Sequence, residues 1–278
     1  MKVILMVSDY NLAANVAVRE FLSAKKVRNG DIEVVGILEA TTFRIGDKTS
    51  WKRAERLLRL SGFRFFMKTS LLNHWQKMFL RWQKYMMADR DRDIFEIKEL
   101  ASQNNIPLLR VDSINDEFSR DFIKKHDPDY LVSALLLQKV SKRVLDLPRE
   151  GSINFHPALF HQHRGTWSAF SAIFHNFKTW GATVHMMTEN FDEGKIILQK
   201  RFGIKADESI FSVSQKSAKV GGKLLVKALL RLKYKNKFVT LKKNALAKLS
   251  TTPNRNHIKK LKKMNKKMIH TEEVLQLK

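Results

Sequence analysis

Short apolar runs bounded by polar residues alternate along the chain with segments of helical spacing. Residues 2–7 (KVILMV) predict a buried first strand and 12–23 a helix. Residues 32–38 (IEVVGIL) predict a second strand. After an unusual stretch at 43–90 the rhythm resumes, with helix at 94–104, strand at 107–111, helix at 116–125 and strand at 130–134. A short helix at 139–145, a strand at 152–156 and a helix at 167–174 follow. Strands at 181–187 and 196–202 and a long helix at 212–232 close the pattern. Continuous apolar strands separated by helices suit parallel strands covered on both faces. The expected fold is therefore α/β, a doubly wound, mostly parallel sheet. Ligands bind such sheets beyond the carboxyl ends of the strands.

Two segments break this regularity. Within 43–90, Leu71, Trp75, Met78, Trp82 and Tyr85 recur at helical spacing, widened by Leu72, Phe79 and Met86. Lys77, Arg81 and Lys84 fall off that face, so the segment predicts an amphipathic, basic, aromatic-rich helix. Its apolar face either packs on the parent domain, lies on an anionic membrane, or forms a lid or nucleic-acid contact. Near the C-terminus, Ile258, Leu261, Met264 and Met268 set a narrower helical stripe.

Charge separates the same segments from the rest. The formal net charge is +25. Residues 51–90 hold ten lysines and arginines against Glu55 and Asp89, and 223–278 hold 17 against Glu272 and Glu273. The remainder is nearly neutral, so the basic character belongs to a helical insertion and a C-terminal extension. Such surfaces favour phosphates, nucleic acid or anionic membranes, unless they are simply solvated. The expected organisation is a catalytic domain over 1–232, carrying the insertion at 43–90, and a basic extension over 233–278.

There is no cysteine, which removes disulfides and thiolate chemistry and fits a reducing, cytoplasmic setting. The apolar start is too short for a secretory signal and no transmembrane helix is expected.

Candidate chemistry lies in GSINFHPALFHQHRGTW and GATVHMMTENFDEGK. Residues two apart in a strand share a face, so Asn154 and His156 would project together. An amide and an imidazolium can donate to one oxygen, as an oxyanion on an attacked carbonyl requires. A nearby carboxylate favours the charged imidazole and could take a proton from an attacking amine. Asp192, in a turn between two strands, is the candidate. His156, His161 and His163 cluster, but without a neighbouring cysteine no metal is expected. His185 reads as a hydrogen-bonded core histidine. Ser8, Asp9, Tyr10 and Asn11 follow the first strand, either as contacts to an anionic acceptor or as a plain turn and helix cap.

These ordered motifs resemble the folate-dependent formyltransferase family. The resemblance rests on Asn154-x-His156, Arg164-Gly165, Gly181-Ala182-Thr183-Val184-His185 and Asp192-Glu193-Gly194, with 127–151 leading into the first motif. It covers 95–230 well and 1–40 weakly. It implies a Rossmann-like fold and a formyl donor, 10-formyltetrahydrofolate. The donor would lie against Ala134, Leu135, Leu136, Leu137 and Gln138 on one side. Met187, Thr188, Glu189, Asn190 and Phe191 would line the other. Asn154 and protonated His156 would hold the oxyanion, Asp192 would keep His156 charged, and Arg164 and Gly165 would lie on the acceptor side. Two departures fall there: Ala158-Leu159-Phe160-His161 follows the His-x, and Thr166-Trp167-Ser168 replaces a proline-bearing stretch.

The implied activity is formyl transfer to a primary amine, with an amino sugar on a nucleotide or lipid carrier as the expected acceptor. Methionyl-tRNA is the next candidate, favoured by the basic surface and disfavoured by the short stretch beyond 232. Hydrolysis of formyltetrahydrofolate is a third. A nonenzymatic membrane- or nucleic-acid-binding protein on the same fold is the alternative of another class. The partners expected are a folate, a phosphate-bearing amine and, through 51–88, the inner face of an anionic membrane.

Overall fold

The structure is a computed structural model. It describes residues 1–9, 11–41, 50–86, 95–160, 162–234, 247, 249–250, 252–270 and 272–273. The side chains of 50–54, 72–73, 76–77, 79–81, 83–86 and 249 fall outside that description. Tyr10, His161, the flanks of the 43–90 insertion and much of the extension beyond 234 therefore lie outside the described residues.

The chain opens with β1 (Lys2–Ser8), α1 (Leu12–Leu22), α2 (Lys25–Arg28) and β2 (Glu33–Ala40). The insertion contributes α3 (Ser50–Ser61) and α4 (Phe63–Met86), separated at Gly62. Then come α5 (Ile97–Gln103), β3 (Leu108–Val111), α6 (Glu117–His126), β4 (Tyr130–Ala134), α7 (Lys142–Leu145) and β5 (Gly151–His156). The second half holds β6 (Arg164–Gly165), α8 (Ser168–Phe174), β7 (Thr179–Met186), β8 (Ile196–Gly203) and α9 (Ile210–Lys233). Beyond it lie β9 (Leu249–Ser250) and α10 (Arg255–Lys263).

Seven strands form one sheet in the order β3-β2-β1-β4-β5-β7-β8. The pairs from β3 to β5 are parallel, and β7 and β8 add antiparallel at the β5 edge. The expected doubly wound, mostly parallel α/β fold is the fold observed. Parallel strands buried on both faces need apolar side chains throughout. β4 is buried along its whole length, and β1 from Val3 to Ser8. One face packs Leu5, Val7, Val132 and Phe155 under α1 and α9. The other packs Ile4, Met6, Leu38 and Leu131 under Ile123 of α6 and Val144 of α7. Each such side chain, fully buried, stabilises the fold by about 1.5–3 kcal/mol.

Helix ends follow local chemistry. Asn11 caps α1, accepting from the Ala14 amide at 3.3 Å, and Asp116 caps α6 through the Ser119 amide at 2.7 Å. Ser209 starts α9 in the same way, 3.0 Å from the Ser212 amide. The short helix expected at 139–145 is reduced to Lys142–Leu145. There the Ser141 amide is held by Asn115 Oδ1 at 2.7 Å and Asn115 Nδ2 donates to the Lys139 carbonyl, which keeps 139–141 extended. β6 and β9 pair parallel in a small second sheet that the hydrophobic pattern does not predict, because two-residue strands carry no periodicity. Among the described residues no helix is long and apolar enough to cross a membrane.

The strand order reverses between β1 and β4, which leaves a crevice at their carboxyl ends. The loop after β4 turns at Leu135, whose φ is +60°. It is tied to the end of β1 by the Leu137 amide, which donates to Ser8 Oγ at 2.8 Å.

Candidate active site

Beyond the carboxyl ends of β4 and β5 lies a cleft with about 390 Å³ of open space. One wall holds Leu136 and Gln138 from the loop after β4, and the opposite wall holds Met187 through Phe191. Asn154, His185 and Asp192 line it as well.

Strand register brings the polar groups together. β5 and β7 run antiparallel with Asn154 opposite His185 and His156 opposite Thr183. The turn after β7 then carries Asp192 back over both strands. Its carboxylate Oδ1 lies 3.4 Å from His156 Nδ1 and 3.7 Å from His185 Nε2. Its Oδ2 accepts from the Gly165 amide at 2.7 Å. Arg164 holds the same turn by its backbone: Nε donates to the Asp192 carbonyl at 2.8 Å and a terminal nitrogen to the Phe191 carbonyl at 3.2 Å. The guanidinium also pairs with Glu193 at 3.0 Å.

Two glycines permit this closeness. A Cβ on Gly194 would sit 1.6 Å from the Met186 carbonyl oxygen, so only glycine lets the Asp-Glu-Gly turn fold onto the end of β7. Gly165 has φ +94°, and a Cβ there would meet the Ser250 carbonyl oxygen at 2.2 Å. Asp192 itself has φ +52°, a left-handed conformation that aspartate tolerates better than most residues.

Burial sorts the histidines. It pushes His185 down to about 4, against the opposing pull of Asp192, so the ring is neutral near pH 7. Nδ1 is 2.7 Å from the Met186 carbonyl and must carry the proton. Nε2 is then an acceptor for the Asn154 amide nitrogen at 3.1 Å, which sets that amide's orientation. His163 is likewise pushed down to about 4, by burial first and by His156 second. His156 has acceptors at both ring nitrogens: Asp192 at Nδ1 and the His163 carbonyl, 3.2 Å from Nε2. An imidazolium, which donates from both nitrogens, suits that arrangement. Burial alone would raise the Asp192 carboxyl. The neighbouring His156, then His185, the Gly165 amide and Arg164, outweigh it and hold the carboxyl below its ordinary range.

The sequence-derived candidates divide accordingly. Asn154, His156 and Asp192 form one connected group, but His156 is 4% exposed and is not among the residues lining the cleft. Leu136, Gln138 and Met187, Thr188, Glu189, Asn190 and Phe191 line it, whereas Ala134 is buried at the end of β4. Arg164 and Gly165 touch the Asp192 turn. Ser8 is buried beneath the loop after β4, the Asp9 amide donates to the Ala40 carbonyl at 2.9 Å, and Asn11 caps α1. His185, expected as a core histidine, is buried and hydrogen-bonded, yet it also faces Asn154 and Asp192. Its place opposite Asn154 in the antiparallel pair is the signal that marks it, and that register is visible only once β5 and β7 are paired.

A family model described as formyl transferase matches residues 85–229. The methionyl-tRNA formyltransferase of Halothermothrix orenii is 34% identical over 133 residues, 48% of this chain and 42% of that protein. The chain thus matches less than half the length of such relatives. Among solved structures, the phosphoribosylglycinamide formyltransferase of Anaplasma phagocytophilum superposes with a TM-score of 0.57 at 13% identity, covering 90% of this chain and 93% of that one. The N-formyltransferase of Helicobacter canadensis, in complex with folinic acid and dTDP-3-aminofucose, gives 0.50 at 13% identity, covering 89% and 70%. The last two likenesses are of fold. With a family model matching more than half of its length, the chain belongs to the formyl transferase family.

Proposed function

We propose that this protein transfers a formyl group from 10-formyltetrahydrofolate to a primary amine. The observation that carries the proposal is the meeting of Asn154, His185 and Asp192 at one end of a cleft whose walls are Leu136, Gln138 and 187–191. The cleft offers apolar side chains and backbone groups to a flat heterocycle, and its polar end suits the formyl carbon. The amine nitrogen bonds to that carbon and pushes the carbonyl electrons onto oxygen. Collapse breaks the bond to the folate nitrogen, which takes up a proton while the amine gives one up.

Asn154 donates to the developing oxyanion through the amide that His185 orients. Asp192 receives the amine proton, and its depressed proton affinity keeps it ionised and able to begin that step. His156 shares Asp192 and joins the oxyanion site by releasing the His163 carbonyl. Such hydrogen bonds often form only in the substrate complex. Residues 1–232 carry the reaction in this proposal, and Arg164 and Gly165 position Asp192 at the acceptor side.

The acceptor we favour is an amino sugar on a nucleotide or lipid carrier, since the basic segments suit a phosphate-bearing molecule. The second reading is a charged tRNA, and the 34% identity to a methionyl-tRNA formyltransferase favours it. Formyl transfer from 10-formyltetrahydrofolate is measured against nucleotide-linked amino sugars, methionyl-tRNA and water alone. Transfer by wild type and its loss in Asp192→Asn support the proposal. Equal behaviour of the two across the panel refutes it, and release of formate without any acceptor makes the protein a hydrolase.

A further inference from the structure

The two basic segments, far apart in sequence, meet in the fold. Ser61 Oγ at the end of α3 donates to the Pro253 carbonyl at 2.5 Å, and the Arg255 side chain packs beside Gly62. Phe65 on α4 lies 5.6 Å from the Trp167 ring, ring centre to ring centre. The helix α10 buries Leu261 and partly buries Ile258, joined by Met268 beyond its end, in a cluster under α8, with Lys260 over the Phe174 ring at 5.2 Å. Its apolar stripe is thus spent on the protein, and Arg255, Lys259, Lys262 and Lys263 remain exposed.

On α4 the opposite holds. Phe65 and Thr69 are buried, but Phe63, Met67, Leu71, Met78 and Trp82 are 65%, 37%, 60%, 58% and 52% exposed. Spacings of four, four, seven and four keep these side chains on one face. The stripe runs about 28 Å at the usual helical rise. Of the stripe expected in the insertion, Leu71, Met78 and Trp82 are exposed and Trp75 is half-buried.

We propose that this stripe, with the exposed Arg64 and Lys68 on the same helix and the exposed cations of α10 nearby, docks the protein on an anionic phospholipid bilayer. Charge selects the occupant. Residues 51–90 carry ten lysines and arginines against two acidic residues, and α10 lies beside α3 with more. Pairing with a second copy would set this positive surface against its like. Nucleic acid would satisfy the cations and could stack on Phe63 and Trp82, but it would leave Met67, Leu71 and Met78 in water, and these contribute neither stacking nor hydrogen bonds. An anionic bilayer meets both needs: headgroups for the lysines and an acyl boundary for the stripe. The inference does not depend on the formyl-transfer proposal, since binding is read without turnover.

The test is co-sedimentation of the full chain with vesicles of phosphatidylcholine alone or with roughly one third phosphatidylglycerol. Wild type is expected to sediment only with the anionic vesicles, less so as salt rises. Leu71→Glu with Met78→Glu should weaken that binding about tenfold or more at unchanged melting temperature, because both side chains are exposed. Should that variant fail to fold, Lys259→Glu with Lys262→Glu and Lys263→Glu must weaken binding similarly. Equal sedimentation with both vesicle types, or with wild type and a folded variant, overturns the proposal. So does a dimer that the Leu71/Met78 variant dissociates, or tRNA binding that this variant loses, when vesicles are not bound.

Discussion

The amide of Gly165 donates to Oδ2 of Asp192 at 2.7 Å, and this bond leaves Oδ1 of the carboxylate turned to His156. Gly165 reaches that position with φ +94° under the Ser250 carbonyl, where a side chain has no room. Gly165→Ala must push β9 away or tilt the amide off Asp192. We expect a loss of roughly 1–3 kcal/mol in stability from the strained backbone alone. A fall of about tenfold or more in kcat should accompany it. Chemical denaturation and steady-state kinetics on the same preparation check both.

Removing the charge of Asp192 while keeping its shape separates chemistry from folding. Asp192→Asn should lower kcat by about 10²–10⁴, the usual contribution of a positioned acid–base group. Asn154→Ala should lower kcat by about 10²–10³, as loss of one oxyanion donor does. The KM for the formyl donor should change only a few-fold in either variant, since neither group holds the ring system. A large change in KM with kcat intact would place these residues in donor binding instead.

Gln138 acts as a strut for the donor loop. Its Nε2 donates to the carbonyls of Thr41 and Asp112 at 2.8 Å each, and its Oε1 accepts from the Ile114 amide at 2.9 Å. Gln138→Ala forfeits all three, about 2–3 kcal/mol at roughly 1 kcal/mol per bond. The freed loop should raise the KM for the donor several-fold with less effect on kcat. Donor titration by fluorescence or calorimetry tests the direction.

Acid should destabilise the fold in a window set by two histidines. His163 and His185 titrate near 4 in the folded protein, below the ordinary value of 6.5. Between those limits the unfolded chain binds protons that the folded chain does not, so stability falls as pH drops from about 6.5 towards 4. The slope is about 1.4 kcal/mol per pH unit for each histidine. Asp192 is shifted in the same direction: the stability its charge contributes is present above the unfolded carboxylate range and is lost as pH falls through its own lower value. Urea unfolding of His185→Gln between pH 7 and 5 should show one proton's slope fewer than wild type, and an unchanged slope would contradict the buried neutral ring.

Legibility differed by element. β1 and β4 were plain because apolar runs bounded by polar residues have one economical home, the middle of a parallel sheet. Asn154 and His156 could be paired from strand geometry alone, since residues two apart must share a face. His185 could not be promoted from a core histidine, because its neighbours across β5 depend on an antiparallel register that no local pattern encodes. Arg164 looked like an acceptor contact, yet its guanidinium is engaged with the carbonyls of Phe191 and Asp192. The α4 stripe was legible as a stripe, but not as an exposed one.

By itself the amino-acid sequence determined the order of the seven strands of the main sheet and most of the helices between them, the sheet class and the Asn-x-His and Asp-x-Gly motifs, because periodicity and turn chemistry act over a few residues. Tertiary structure alone decided that β9 roofs Gly165, that His185 orients Asn154, and that the end of α3 meets α10. Those relations join residues tens to hundreds apart in the chain, and they are set by the packing and register of whole elements.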